Sequence, residues 1–482
     1  MLNAELALRD LLVESNDTLM LKSFDDLYEL KQSLQKKQEL NQLTAESLDS
    51  LNTIIAQKEK KLIEGSRIYG DYTANLSTNW IDVQSVLDTN EIAIEYTRFL
   101  DQNNVARYSA LVLSPEATHP QYLSLCSEDS LMMIVNEDKR SKEWGIAFYL
   151  KLVAPVLSSS NHIKTIYFSP AGIIHNIPLE NIVGSIDEYS GNLQLYRLSS
   201  TRQLIKKVKD KDKNSASLFG GISYNSGLIE GAGAGDEALF TELDIEPVIR
   251  DASILRDGYK DLPGTEIEVR HIDEILTKDS IETVLYVHEN ASESAFKLMS
   301  GKPISILHIA THGFYWTEQY AGYKKSSNVL LPIITNRGLE DMSLTRSGLI
   351  LAGANRVIRD RIITPGQEDG ILTAREISFL DLRKVDLVVL SACQTGLGEI
   401  SGEGVFGLQR GFKKAGVHTI VMSLWSVDDE ATQILMEEFY RNIIKGESQQ
   451  IALFNAQRFL RSTYSHYSSP YFWAAFVILD SI

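Results

Sequence analysis

The 482-residue chain holds only two cysteines, Cys126 and Cys393. That is too few for a disulfide framework in a chain of this size and points to a reducing compartment. It lacks any run of about 18 uninterrupted apolar residues, so no membrane-spanning helix is expected. The opening stretch, MLNAELALRDLL, has no basic segment and no small-residue cleavage site; no secretory signal is read there, and a cytoplasmic location is expected. Positive charge is in deficit: 47 Lys and Arg against 64 Asp and Glu leave a net charge of -17. Such a field repels phosphate backbones and anionic lipid heads, which disfavours direct nucleic-acid or membrane binding and favours the approach of cationic substrates. Prolines number only 11, and a composition of 44% hydrophobic and 23% charged residues is that of an ordinary folded protein. At this length two or three folded units are expected.

Glycine and proline are missing from the first 64 residues, where apolar positions such as Leu27, Leu34, Leu51 and Ile55 recur at helical spacing. Residues 1–75 are therefore read as two or three amphipathic helices, packed as a hairpin with a solvated outer face. From Trp80 onward short β-branched runs at 92–96, 108–113 and 163–168 alternate with helical segments, the pattern of a parallel sheet covered on both faces. The charged stretch KKVKDKDKN at 206–214 and the glycine loop EGAGAGD at 230–236 border a second α/β unit. The expected division is 1–75, 76–250 and 251–482. The three alternating glycines are not read as a phosphate cradle, because Glu230, Asp236 and Glu237 would face the phosphate. Buried-type strands at 304–310, 385–391 and 418–424 all run into polar loops, and sites in open parallel sheets form beyond strand carboxyl ends.

Two of those ends carry chemistry. In ILHIATHGF the strand runs out at His312, followed by Gly313, which allows close approach of a substrate to the backbone. His308, four residues earlier, is read as structural, and without a matching cysteine or carboxylate cluster no metal is expected. In DLVVLSACQTGLG an apolar strand delivers Cys393 to a glycine-bearing turn. A thiol there is either a nucleophile, if an imidazolium or helix terminus stabilises its thiolate, or a buried and inert side chain.

THG after one strand and SACQTG after another resemble the His and Cys motifs of caspase-like cysteine peptidases, and more closely those of the CHAT family. Further segments fit the same pattern: Trp80 with IDVQSVL, AIEYTRF, SPAGIIHNIPLENI at 169–182, DGILTAREI at 369–377, GEGVFGLQRGFKKAGV, SLWSVDDEAT and PYFWAAFVI. The resemblance implies a caspase-like three-layer α/β/α sandwich, with a pseudo-peptidase half and a catalytic half. Tetratricopeptide repeats often precede it, although no complete 34-residue repeat is found here; the chain is then a short family member or part of a longer protein.

The implied chemistry is endopeptidase action, with Cys393 as nucleophile, His312 handling the proton, and the backbone N–H groups of Gly313 and Cys393 holding the oxyanion. No metal or organic cofactor is implied. Ser423, Trp425, Asp428 and Asp429 of SLWSVDDEAT fall where separase and gingipain types receive a basic side chain. Asp429 is the better match, and the competing role of either aspartate is to cap the helix that follows. The segment 316–367 is read as a loop controlling access. Its Lys324, Lys325 and Arg346 are either self-cleavage sites or surface residues that never enter the pocket.

Implied partners are a protein substrate, a regulatory protein and a second copy of the chain, in a bacterial defence or cell-death setting. Two other readings remain: a catalytically silent scaffold for protein interaction, and a hydrolase acting on small molecules.

Overall fold

In this computed structural model the described residues are 78–157, 162–183, 193–205, 214–226, 258–315, 344–359, 368–391, 399–401, 404–426 and 428–482, with scattered positions between 22 and 58. The chain divides into two compact units, Met1–Asp82 and Val83–Ile482. In the first, the described residues between 22 and 58 are helical, with Leu27 and Leu34 buried as their spacing anticipates.

The second unit is built on β1 (Glu91–Leu100), β2 (Ala106–Leu113), β3 (Gln121–Ser127), β4 (Thr165–Ser169), β5 (Gln194–Arg197), β6 (Ser215–Ile222), β7 (Glu282–His288) and β8 (Ile306–Ala310). Three short strands follow: β9 (Gly313–Tyr315), β10 (Ser347–Ile350) and β11 (Ile371–Thr373). The rest are β12 (Leu387–Ser391), β13 (Glu399–Ser401), β14 (Gly404–Phe406), β15 (Thr419–Ser423) and β16 (Phe476–Leu479). Eleven of them form one sheet in the order β3-β2-β1-β4-β5-β16-β15-β12-β8-β6-β7.

Within it β1, β4, β5 and β16 run parallel to one another. So do β15, β12, β8, β6 and β7. The two blocks meet head to tail where β15 and β16 pair antiparallel. The carboxyl ends of β8, β12 and β15 consequently share one edge of the sheet, and those of β4 and β5 the other.

Strand periodicity explains the layering. Alternate residues of β8, β12 and β15 enter two separate cores: Leu307, Ile309, Val388, Leu390, Ile420 and Met422 one, Ile306, Ala310, Leu387, Val389 and Val421 the other. The second core is covered by α1 (Pro263–Lys278), α3 (Asp429–Ile444) and α4 (Gln449–Thr463); α2 (Glu293–Lys297) contributes Phe296 to the first. In the other block a large core forms from Ile92, Ile94, Phe168 and Leu195 with helical residues such as Trp144 and Phe148, and a smaller one from Val83, Leu87, Ala93 and Leu113.

Where α1 crosses β6, a Cβ on Gly220 would lie 2.6 Å from the Thr265 carbonyl oxygen, so only glycine admits the helix this close. β6, on the N-terminal side of the boundary expected near residue 250, hydrogen-bonds to β7 and β8.

The reading of 316–367 as one access loop is corrected for its C-terminal part. Residues 347–350 are β10, paired with β9 and β11, and Leu349, Ile350 and Leu351 are buried. The apolar run LILA is long enough to form a strand, and burying it outweighs leaving it as a loop. Arg346 is also buried, which removes it as an exposed cleavage site. Lys324, Lys325 and the 230–236 glycine loop lie outside the described residues.

Where β5 meets β16, Arg197 and Glu180 form a fully buried ion pair, Nε to Oε1 at 2.7 Å and Nη2 to Oε2 at 2.9 Å. The guanidinium also donates to the His175 carbonyl at 3.1 Å and lies over Phe168. Removing one partner of such a pair strands a buried charge. Arg197→Ala is therefore expected to cost about 3–5 kcal/mol in denaturant unfolding; a loss below about 1 kcal/mol would contradict a structural role for the pair.

Candidate active site

The register of the parallel strands sets the site. Ala310 of β8 pairs with Ser391 of β12, and His312 and Cys393 are each two residues further along the chain. Cys393 itself lies outside the described residues.

His312 is half-buried between the rings of Tyr224 and Tyr259, at centroid distances of 5.2 and 4.9 Å. Its Nε2 stands 2.8 Å from the carbonyl oxygen of Lys260. A carbonyl only accepts, so Nε2 carries the proton and the neutral ring keeps Nδ1 as its basic nitrogen. Burial holds the imidazole pKa below its usual 6.5, while the Lys260 carbonyl and the charges of Asp429 and Asp261 oppose that shift.

The Lys260 carbonyl is placed by a clamp. Asn355, itself buried, accepts from Tyr259 N–H at 2.8 Å through Oδ1 and donates to Tyr259 O at 2.9 Å through Nδ2. Its own N–H is tied to the Tyr224 carbonyl at 3.0 Å. Gly258, at φ +75°, lies so close to the Asn355 amide that a Cβ would fall 2.6 Å from it. Thr311 Oγ1 and Tyr224 OH, 3.0 Å apart, complete the wall behind the imidazole.

Gly313 begins β9. The bond from Ile350 N–H to the His312 carbonyl, at 2.9 Å, makes Gly313 and Leu349 a non-hydrogen-bonded pair, so β10 does not use the Gly313 N–H.

Ser423, Trp425 and Asp429 all line a small cavity at this edge, together with Gly264, Thr265, Glu268, Thr311 and Ser391. Asp428 does something else: it caps α3, accepting from Ala431 N–H at 3.0 Å. The two aspartates thus divide the roles that the sequence leaves open, one capping and one lining. Burial, Asp428 and Glu268 push the Asp429 carboxyl up, and His312 pulls it down. Trp425 packs against cores of both blocks, edge-on to Trp144 at 6.0 Å, and donates from Nε1 to the Tyr471 carbonyl at 2.9 Å.

The Lys260 carbonyl, Asn355 and Glu268 are not read from the sequence, because each acts through a contact between segments far apart in the chain. His308 is structural as expected: fully buried, it meets Tyr440 OH at 3.1 Å through Nδ1.

The other cysteine and histidine candidates lack this setting. Burial pushes the Cys126 thiol up. His175, buried and beside Arg197, is pushed down to about 3. Glu293, Glu368 and Glu376 could hold a metal, but the Lys297 ammonium already stands 2.6, 2.8 and 2.9 Å from them.

Two outcomes follow from the His312 geometry. In a Cys393→Ala background, NMR titration is expected to give His312 a pKa below 6.5. Asp429→Asn should lower it further, because the carboxylate favours the imidazolium; a value at or above 6.5 would contradict the burial described. Asn355→Ala should release the Lys260 carbonyl and change the ring tautomer reported by the His312 nitrogen shifts, with unchanged shifts counting against the clamp.

The CHAT domain family profile matches residues 143–481. Tetratricopeptide repeat protein 28 of Homo sapiens is 32% identical over 117 residues, 24% of this chain and 5% of that protein, and the Mus musculus protein is 32% identical over 118 residues. The chain thus spans about a twentieth of the length of these relatives. Among solved structures, the Saccharomyces cerevisiae separase–securin complex is similar at TM-score 0.45 and 12% identity, covering 96% of this chain and 34% of that one. The Arg-specific cysteine proteinase gingipain R is similar at TM-score 0.39 and 9% identity, covering 70% and 66%. No described helix is long and apolar enough to cross a membrane. With most of its length matched, the chain belongs to the CHAT domain family.

Proposed function

We propose that the chain is a cysteine endopeptidase with Cys393 as nucleophile and His312 as general base. The observation that carries this reading is the orientation of His312: Nε2–H is committed to the Lys260 carbonyl, which leaves Nδ1 as the proton acceptor at the edge where β12 runs out. A silent scaffold has no need of a buried amide clamp to hold one histidine tautomer.

In the proposed reaction His312 Nδ1 takes the thiol proton as Sγ bonds to the scissile carbonyl carbon. The oxyanion is held by the N–H groups of Gly313 and Cys393. The C–N bond then breaks as the imidazolium passes its proton to the leaving amine, and water, deprotonated by the same ring, hydrolyses the thioester. Losing one oxyanion donor typically costs about 2.7–4 kcal/mol, so the backbone at Gly313 matters nearly as much as the two side chains.

The residue before the cut is proposed to be basic and received by Asp429, with Trp425 flanking its stem. A partner protein is proposed to regulate access.

Cleavage of a diverse peptide pool, read by mass spectrometry, tests the reading. The chain is expected to cut after Arg or Lys, and Cys393→Ala and His312→Ala each to lose at least about a thousandfold in rate. Cleavage that persists in Cys393→Ala would contradict it.

A further inference from the structure

The cavity beside His312 contains a carboxylate that neither the motifs nor the proposed chemistry uses. Glu268 sits on the inner face of α1 with its side chain 4% exposed. It lines the same cavity as Asp429, Ser391 and Ser423. Among the described residues its Oε1 makes no hydrogen bond, although His308 Nε2 is 3.1 Å away, and the buried Ser391 Oγ likewise has none.

Gly264 lines the cavity against Asp429, where a Cβ would meet the Asp429 side chain at an ordinary contact distance of 3.5 Å. Two carboxylates around one small cavity repel each other, and the Glu268 charge contributes to the raised carboxyl pKa of Asp429. Taking a carboxylate out of water is costly even with the His308 ring 3.1 Å away, and a cation entering the cavity offsets both the desolvation and the repulsion. A chain carrying -17 overall favours the approach of such a cation.

We propose that Glu268 is a second specificity-determining carboxylate, which with Asp429 selects a guanidinium or ammonium head group in this cavity. Asp429 stands at the rim and Glu268 on the wall formed by α1, so the head group is held from two sides while Trp425 covers the aliphatic stem. The bland competing role for Glu268 is to be the buried neighbour of His308 and nothing more. The inference rests on the peptidase reading for its substrate, but not for the binding of the cation.

Two measurements separate them. The first is kcat/KM on matched peptides with Arg or its neutral isostere citrulline before the cut. Glu268→Gln is expected to reduce the Arg-over-citrulline ratio at least tenfold, as is Asp429→Asn; an equal loss on both peptides in Glu268→Gln would overturn the assignment.

The second is binding of butylguanidine against butylurea to the Cys393→Ala protein by calorimetry. Butylguanidine should bind in preference, and Glu268→Gln should weaken it at least tenfold; equal binding of the two probes would overturn the proposal. Cation binding that depends on Glu268 without any peptide cleavage would uphold the pocket and remove the peptidase reading. Cleavage that is indifferent to Glu268 would do the reverse. If Glu268→Gln fails to fold, the paired Glu268→Leu with His308→Leu, an apolar replacement of the buried polar contact, carries the same comparisons.

Discussion

Three parallel strands buried on both faces, β8, β12 and β15, hold the register on which the candidate site depends. A slip of one residue would exchange the two faces and move His308 from its place by Glu268 and Tyr440 into the opposite core. Because both faces are apolar and differently shaped, that exchange would bury a histidine without partners. The register that satisfies His308 is the one that pairs Ala310 with Ser391 and brings each strand out at the same edge. The antiparallel β15–β16 pair then joins the other block, and Asn181 secures the joint by donating from Nδ2 to the carbonyls of Ala474 and Phe476 at 2.9 and 2.6 Å.

Chemistry at that edge depends on a second layer of polar contacts. The residues around 258–262 have no regular structure, and their position is fixed by Asn355 and by Gly258 rather than by a ladder. The resulting carbonyl at Lys260 selects the imidazole tautomer. Asn355 in turn follows directly on β10 and its turn, so the small sheet β9–β10–β11 both carries Gly313 and anchors the clamp.

Much of this was legible in the sequence where local pattern decides. The apolar runs ending at Ala310, Ser391 and Ser423 are strands because β-branched and aliphatic residues fill both faces, and His312 and Gly313 follow one of them at once. The LILA run at 349–352 was misread as part of a loop because the polar stretch before it dominates the composition of the whole segment. Which aspartate caps α3 was undecidable from DD alone, since either residue suits an N-cap; the helix start at Asp429 makes Asp428 the cap. Glu268 was hidden in the amphipathic pattern of α1, where a single glutamate reads as a solvated position until the cavity beneath it is known. The Lys260 carbonyl has no side-chain signature at all.

The central claim is that the edge beyond β8 and β12 turns one of two cysteines into a nucleophile. The two thiols supply their own control, because burial raises the Cys126 pKa. Iodoacetamide alkylation of the intact chain at neutral pH, followed residue by residue by mass spectrometry, tests this most directly. Cys393 is expected to react much faster than Cys126 and to lose that advantage in His312→Ala. Equal rates for the two thiols, or a Cys393 rate indifferent to His312, would contradict the account.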